Sequence, residues 1–315
     1  MAEPNRKLGL ALGSGAARGL AHIGVLKVLE EEEIPVHSLA GSSIGALIAA
    51  LFAAGLPARQ METVAREIDW RRLARLLDPV FPSSGLIDGA RVARFMEELL
   101  PVRTFEELRL PLAVVTTDIE SGEPVIIRNG DLLTALRAAI AFPGIFPPVR
   151  FGNRFLVDGG LVNPVPADLP RQLGADVVIG VCAIPTVRQP VIATILPAPV
   201  ESSERRFSDR FTAGGIEKLM REIWGPNRRG TEELMESPRE RRPPGIFRIF
   251  ASSVAIMENV INDLRIERNA IDLLIRPQFD SLSLLEFHRA AEAIRAGEDA
   301  TRPLIPRIRK LLSPV

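Results

Sequence analysis

Cysteine occurs once in the 315 residues, at Cys182, so the chain forms no intramolecular disulfide and holds no cluster of thiolate ligands. Cys182 closes the apolar run Val177–Cys182 and reads as a small buried hydrophobe. Tyrosine is absent, and histidine stands only at 22, 37 and 288. No H-E-x-x-H or similar grouping occurs, which removes the sequence case for a hydrolytic zinc site; no metal is expected. Lysine is confined to positions 7, 27, 218 and 310, with arginine supplying the other cations, a pattern of codon bias rather than of phosphate recognition. Basic and acidic residues balance at 39 each, so the chain lacks the excess positive charge of a dedicated nucleic-acid binder. No apolar run approaches the length of a membrane span. The polar Met1–Lys7 precedes the first strand, and Arg18 interrupts the apolar stretch that follows, so this end does not read as a signal peptide. The expected location is cytoplasmic, with any membrane contact peripheral.

What is abundant is glycine at strand ends. Residues 41 to 45 read Gly-Ser-Ser-Ile-Gly, between the β-prone Val36–Ala40 and the alanine-rich Ala46–Ala54. G-x-S-x-G between a strand and a helix is the setting of a nucleophile elbow, a sharp turn that pushes the Ser43 hydroxyl out at the head of a sheet. Gly41 and Gly45 remove Cβ atoms that would meet the neighbouring strand and helix. A second cluster, Gly13-Ser14-Gly15-Ala16-Ala17-Arg18-Gly19, follows the buried strand Leu8–Leu12 and opens a helix over Leu20–Glu32. Its backbone N–H groups sit at a positive helix end, suited to a nucleotide phosphate or to an oxyanion. The phosphate reading lacks support: G-x-G-x-x-G is not met from Gly13, and no Gly-Lys-Ser/Thr follows. In the third cluster, Phe155–Asp158 delivers an aspartate into Gly159-Gly160, its carboxylate free to accept a proton.

In this order the three clusters resemble the patatin-like phospholipase family, and in particular its small bacterial members. The likeness covers Leu8 to about Ile184. It implies serine lipid acyl hydrolysis (of phospholipase A, lysophospholipase or esterase type) by a Ser–Asp dyad, without cofactor, on glycerophospholipids or neutral acyl esters. Ser43 is then the nucleophile and Asp158 its proton acceptor. The loop residues Gly15, Ala16, Ala17 and Arg18 form the oxyanion hole, and Gly13, Gly19, Gly41, Gly45, Gly159 and Gly160 are motif glycines. The usual family loop is Gly-Gly-Gly-x-Arg-Gly; aligned on Arg18-Gly19, this chain departs from it with Ser14 and Ala16. Both keep their N–H groups but restrict the backbone. Two rival functions remain: a nucleotide-binding module on the Gly13–Gly19 loop, and a membrane-associated scaffold with a decayed site.

Strand and helix patterns alternate through the first half, which implies a three-layer α/β/α fold around a central, mainly parallel sheet. Further helices are expected over Ala58–Ile68, Ala90–Leu99, Leu132–Ala141 and Ala167–Leu173, and further strands over Leu112–Thr117, Pro124–Arg128 and Asp176–Ala183. The domain reading is a catalytic core over 8–184, a proline- and arginine-rich insertion over 185–245, and C-terminal elements over 246–315 that complete the core. Within the insertion, Ser203–Trp224 reads as an amphipathic helix suited to be a lid or lipid contact, and Asn227–Arg242 as a surface loop. Phe250, Val254, Met257, Ile261 and Leu264 mark a helix whose apolar stripe is expected to cover the sheet. A last strand is expected over Ile271–Ile275, then helices over Leu285–Ala296 and Leu304–Leu312. A triad using His288 would fit the Ser, Asp, His chain order, but His288 falls inside a helical pattern, so the dyad is favoured. Lipid or a membrane surface is the expected partner; the oligomeric state is open.

Overall fold

A computed structural model describes residues 6–76, 87–184, 246–268, 271–279 and 282–314. The expectations for Ser203–Trp224 and Asn227–Arg242 lie outside the described residues. By contact density the chain divides into two units, Met1–Pro185 with Ala255–Val315, and Thr186–Val254. The first contains the eight-stranded sheet.

The sheet's parallel part follows from its most apolar runs. β1 (Leu8–Leu12) and β7 (Val177–Val181) are buried at every position. They can be so only where helices cover both faces. β1 pairs in parallel with β2 (Val36–Ser42) on one edge and β7 on the other; β2 then pairs with β3 (Leu112–Asp118), and β7 with β8 (Leu273–Ile275). The other three strands are antiparallel: β4 (Pro124–Ile127) on β3, β6 (Arg154–Asp158) on β3, and β5 (Val149–Phe151) on β6. Helix Ala21–Glu31, helix Ile44–Ala53 and the C-terminal helix Ala290–Thr301 pack apolar faces into the main core. Gly24 and Gly297 allow close approach of two of them, since a methyl at either position would meet the other helix's backbone.

Register explains why the site forms where it does. β2 runs alongside β3 as far as Ser42↔Val115. β4 occupies the other edge of β3 from Val114 to Thr117. β6 therefore takes the edge that β2 vacates, and its pairing with β3 begins at the next position, Thr116↔Asp158. Ser43 and Asp158, 115 residues apart, thus become neighbours at one end of the sheet.

Three expectations are corrected. The apolar stripe of helix Ile246–Arg268 does not cover the sheet: Phe250, Met257 and Leu264 are exposed, as are Ile256 and Val260. Of the stripe Val254 is buried, and the same face continues, a turn apart each, with the buried polar residues Glu258 and Asn262. The expected helix at Ala167–Leu173 is a single turn, Leu169–Gln172. The expected helix over Leu285–Ala296 begins instead as a short 3-10 turn, Phe287–Arg289, with the α-helix running from Ala290 to Thr301. Among the described residues no helix is long and apolar enough to cross a membrane.

A methyl at Gly45 would collide with the backbone carbonyls of Leu12 and Gly13. Backbone cannot move aside as a side-chain tip can. Gly45→Ala is therefore expected to cost at least about 2 kcal/mol, read as a lowered midpoint in urea denaturation.

Candidate active site

Ser43 is the residue between β2 and helix Ile44–Ala53, and its backbone sits at φ 55°, ψ −131°. A non-glycine residue is strained there, at a cost of order 1–3 kcal/mol. The turn is held by its surroundings: Ala46 N–H donates to Ser43 O at 3.0 Å, and the Gly41 Cα packs against Ala46 with no room for a Cβ. Ser43 caps the helix with no side-chain hydrogen bond, which leaves its hydroxyl for another partner. That partner is Asp158: Ser43 Oγ donates to Asp158 Oδ2 at 2.6 Å. Ser42, its neighbour in sequence, is fully buried, and its hydroxyl accepts from Ser14 Oγ at 3.3 Å.

Asp158 is held from four directions. Its N–H donates to Ala141 O, its carbonyl accepts from Thr117 Oγ1, and Oδ1 accepts from Gly160 N–H at 2.8 Å, with Ser43 on Oδ2. The carboxyl is 1 % exposed. Burial pushes its pKa up to about 6, against the opposing hydrogen bonds from Ser43 and Gly160. It is thus a stronger base than an exposed aspartate and still ionised at neutral pH.

The glycine loop lies beside them. Rather than opening directly into the α-helix, it first winds a 3-10 turn over Ala16–Leu20. Four of its amides are already engaged: Gly13 N–H to Val181 O, Ser14 to Pro164 O, Ala17 to Leu284 O and Arg18 to Gly15 O. Of the four loop residues expected to supply donors, Ala17 and Arg18 are therefore committed elsewhere. The N–H groups of Gly15 and Ala16 have no acceptor among the described residues. Ala16 stands at φ 48° where the family loop has glycine, a left-handed conformation that its Cβ resists. The Arg18 side chain donates from Nε to Leu282 O at 2.7 Å and anchors the loop. His22 Nε2–H donates to Gly13 O at 2.7 Å, and burial lowers its pKa to about 4, so the ring is a neutral strut. A candidate donor outside the motif reading is Ile44 N–H, in the first turn of the helix after Ser43 and without an acceptor among the described residues. The strand–turn–helix context already contained that signal.

No histidine is hydrogen-bonded to Ser43 or Asp158 among the described residues. His37 Nδ1 accepts from Leu8 N–H, and His288 is exposed on the turn Phe287–Arg289. His288→Ala is accordingly expected to change kcat/KM for a soluble ester by less than about threefold and leave the melting temperature unaltered. The rigid Pro143–Pro148 loop places Phe146 and Pro147 in a cleft with Val92, Met96, Ile140 and Val149; neither Ser43 nor Asp158 lines it. Among the described residues no grouping of His, Cys, Asp and Glu is arranged to hold a metal ion.

A serine on a strained strand-to-helix turn, bonded to a buried carboxylate at the end of an α/β sheet, has the form of an esterase site. The chain belongs to the patatin-like phospholipase family: the family model matches residues 10–171, which contain all three glycine clusters. It is a lipid ester hydrolase by that membership. An uncharacterized NTE family protein of Mycobacterium tuberculosis is 30 % identical over 321 residues, covering 92 % of this chain and 89 % of that protein. Human patatin-like phospholipase domain-containing protein 6 is 36 % identical over 181 residues, 55 % of this chain but 13 % of that protein. Among solved structures, VipD from Legionella pneumophila superposes with a TM-score of 0.45 at 14 % identity, covering 97 % of this chain and 68 % of that one.

Proposed function

We propose that the chain cleaves acyl esters of glycerophospholipids or neutral lipids through an acyl-enzyme on Ser43, with Asp158 as the base. The observation that carries this reading is the 2.6 Å hydrogen bond from Ser43 Oγ to Asp158 Oδ2, made from a strained turn that leaves the hydroxyl no structural task. Ser43 Oγ attacks the acyl carbonyl as its proton passes to Asp158 Oδ2. The carbonyl oxygen takes the negative charge, facing Gly15 N–H, Ala16 N–H and Ile44 N–H. The ester C–O bond then breaks, and the departing alcohol takes the proton from Asp158. Water attacks the acyl-serine, gives a proton to Asp158, and the fatty acid leaves as that proton returns to Ser43 Oγ. Each oxyanion donor is worth about 3–4 kcal/mol in comparable sites. A buried base suits this cycle, because the aspartate must accept a proton and return it within each turnover.

We further propose that the protein works from the cytoplasm and meets its lipid at a membrane surface. The exposed apolar positions Ile256, Met257, Val260 and Leu264 support that reading. The test is product analysis with phosphatidylcholine vesicles and with a lysophospholipid, by mass spectrometry. Free fatty acid should appear together with the matching lyso-lipid or glycerophosphodiester, undiminished by a metal chelator. Loss of all product on chelation would contradict the dyad.

A further inference from the structure

We propose that Glu258 is a positioning residue of the site: a second carboxyl in the dyad's pocket that acts through Asp158 and sets how firmly it holds a proton. The inference rests on the Ser43–Asp158 reading above. No motif announced Glu258, which lies 100 residues beyond Asp158 on the inward face of helix Ile246–Arg268.

The geometry is defined by what Gly160 leaves empty. A methyl group built there would lie 2.5 Å from Ser14 Oγ, 2.6 Å from Glu258 Oε1 and 3.1 Å from Asp158 Oδ1. One hydroxyl and two carboxyls therefore converge on a space the size of a methyl group. Asp158 is 1 % exposed and Glu258 9 %. Among the described residues no cation faces either carboxyl. Arg276 pairs with Asp263, and Arg18 with Leu282 O. From β6 Glu258 faces Asp158, and from the loop after β1 it faces Ser14. At the end of β7, Cys182 bonds instead to Asn262 Nδ2 at 3.3 Å.

Two carboxylates in one dry pocket do not ionise together. Burial, and next the charge of Asp158, push Glu258 up to about 8, while Asp158 stands at about 6. At neutral pH the pair holds one proton, on Glu258, and the negative charge sits on Asp158, bonded to Ser43. When Glu258 ionises, its charge repels that of Asp158. Proton transfer from Ser43 relieves the repulsion, so Asp158 becomes the stronger base. The pair therefore titrates in two steps, and both affect turnover.

The experiment follows kcat/KM for a neutral soluble ester, p-nitrophenyl butyrate, from pH 5 to 9.5, corrected for spontaneous hydrolysis, in the wild type, E258Q, E258D and S43A. In the wild type kcat/KM should rise through about pH 6, then rise again by about threefold to tenfold through about pH 8. E258Q should keep the first step and lose the second, while E258D should retain a displaced second step. A second step surviving in E258Q overturns the proposal, as does a single step in the wild type. So does a fall near pH 8 that E258Q removes, because Glu258 would then act on the oxyanion and not on Asp158. Thermal unfolding gives an arm independent of turnover. A carboxyl whose folded pKa lies above its unfolded value favours folding below about 4.5, and that contribution is lost as pH rises to about 8. The melting temperature of E258Q should therefore fall less between pH 5 and 8 than that of the wild type; equal slopes count against the shared pocket. If S43A retains hydrolysis, the dyad reading fails by itself, and the unfolding arm still judges Glu258.

Discussion

Replacing Ser43 by alanine is expected to lower kcat/KM for any acyl ester by at least about 10⁴-fold, with the fold intact. On the proposed mechanism the hydroxyl supplies the bond-forming atom, and among the described residues no other hydroxyl is bonded to the Asp158 carboxyl. Ser42 is fully buried behind the turn with its hydroxyl engaged by Ser14, and Ser14 is itself 2 % exposed. Ser42→Ala should therefore retain most activity, losing only what a disturbed loop costs. The Ser43→Ala variant should lose only about 1–3 kcal/mol of stability, since alanine keeps the strained positive φ and leaves the buried Asp158 Oδ2 without its donor. Steady-state assays with p-nitrophenyl butyrate and circular dichroism melts of both variants check this. Substantial turnover in Ser43→Ala would remove the nucleophile assignment.

Asp158→Asn is the second large effect. Asparagine keeps the size of the side chain and its acceptance of the Gly160 N–H, but it cannot take a proton, so kcat should fall about 10³–10⁴-fold. The same chemistry fixes the acid limb of the wild-type profile. Asp158 must be ionised to act, so activity should be lost as pH falls through about 6. Stability moves the other way. A buried carboxyl raised from 3.8 to about 6 favours folding at low pH and loses that contribution as pH rises through this window. Asp158→Asn lacks the loss and should melt no lower than the wild type at pH 7. An inactive variant with an unchanged or raised melting temperature separates chemistry from unfolding. An acid limb near pH 4, the ordinary aspartate range, would mean that burial does not raise Asp158 in the working enzyme.

The parallel sheet was legible because its strands are unbroken apolar runs: Leu8–Leu12 and Val177–Val181 are buried on both faces and can read no other way. Ser43 and Asp158 were legible as local patterns, each a glycine-bearing turn after a strand. Their contact was not, because it depends on the step in β3 pairing from Val115 to Thr116, which no local pattern encodes. β5 and helix Trp70–Leu76 went unread. The first is three residues long and mostly exposed; the second, Trp-Arg-Arg-Leu-Ala-Arg-Leu, carries too few apolar positions to show a period. The stripe on Ile246–Arg268 misled for a physical reason. Periodicity locates an apolar face but assumes that the whole face turns inward, whereas here only Val254 of the buried positions belongs to it, and Glu258 and Asn262 are the others. A buried glutamate beside a buried aspartate breaks the usual pattern, and the sequence alone could not reveal it. Which loop amides stay free was not legible: Ala17 and Arg18 spend theirs on Leu284 O and Gly15 O.

The central claim is that one serine hydroxyl, activated by Asp158, forms a covalent acyl intermediate. A fluorophosphonate mimics the ester and stays on the attacking oxygen, so labelling followed by proteolysis and mass mapping reads the nucleophile directly. The account predicts one modified residue, Ser43, with labelling lost in Ser43→Ala, retained in Ser42→Ala and strongly slowed in Asp158→Asn. Label on Ser42 or Ser14, or no label on active wild-type protein, would contradict it.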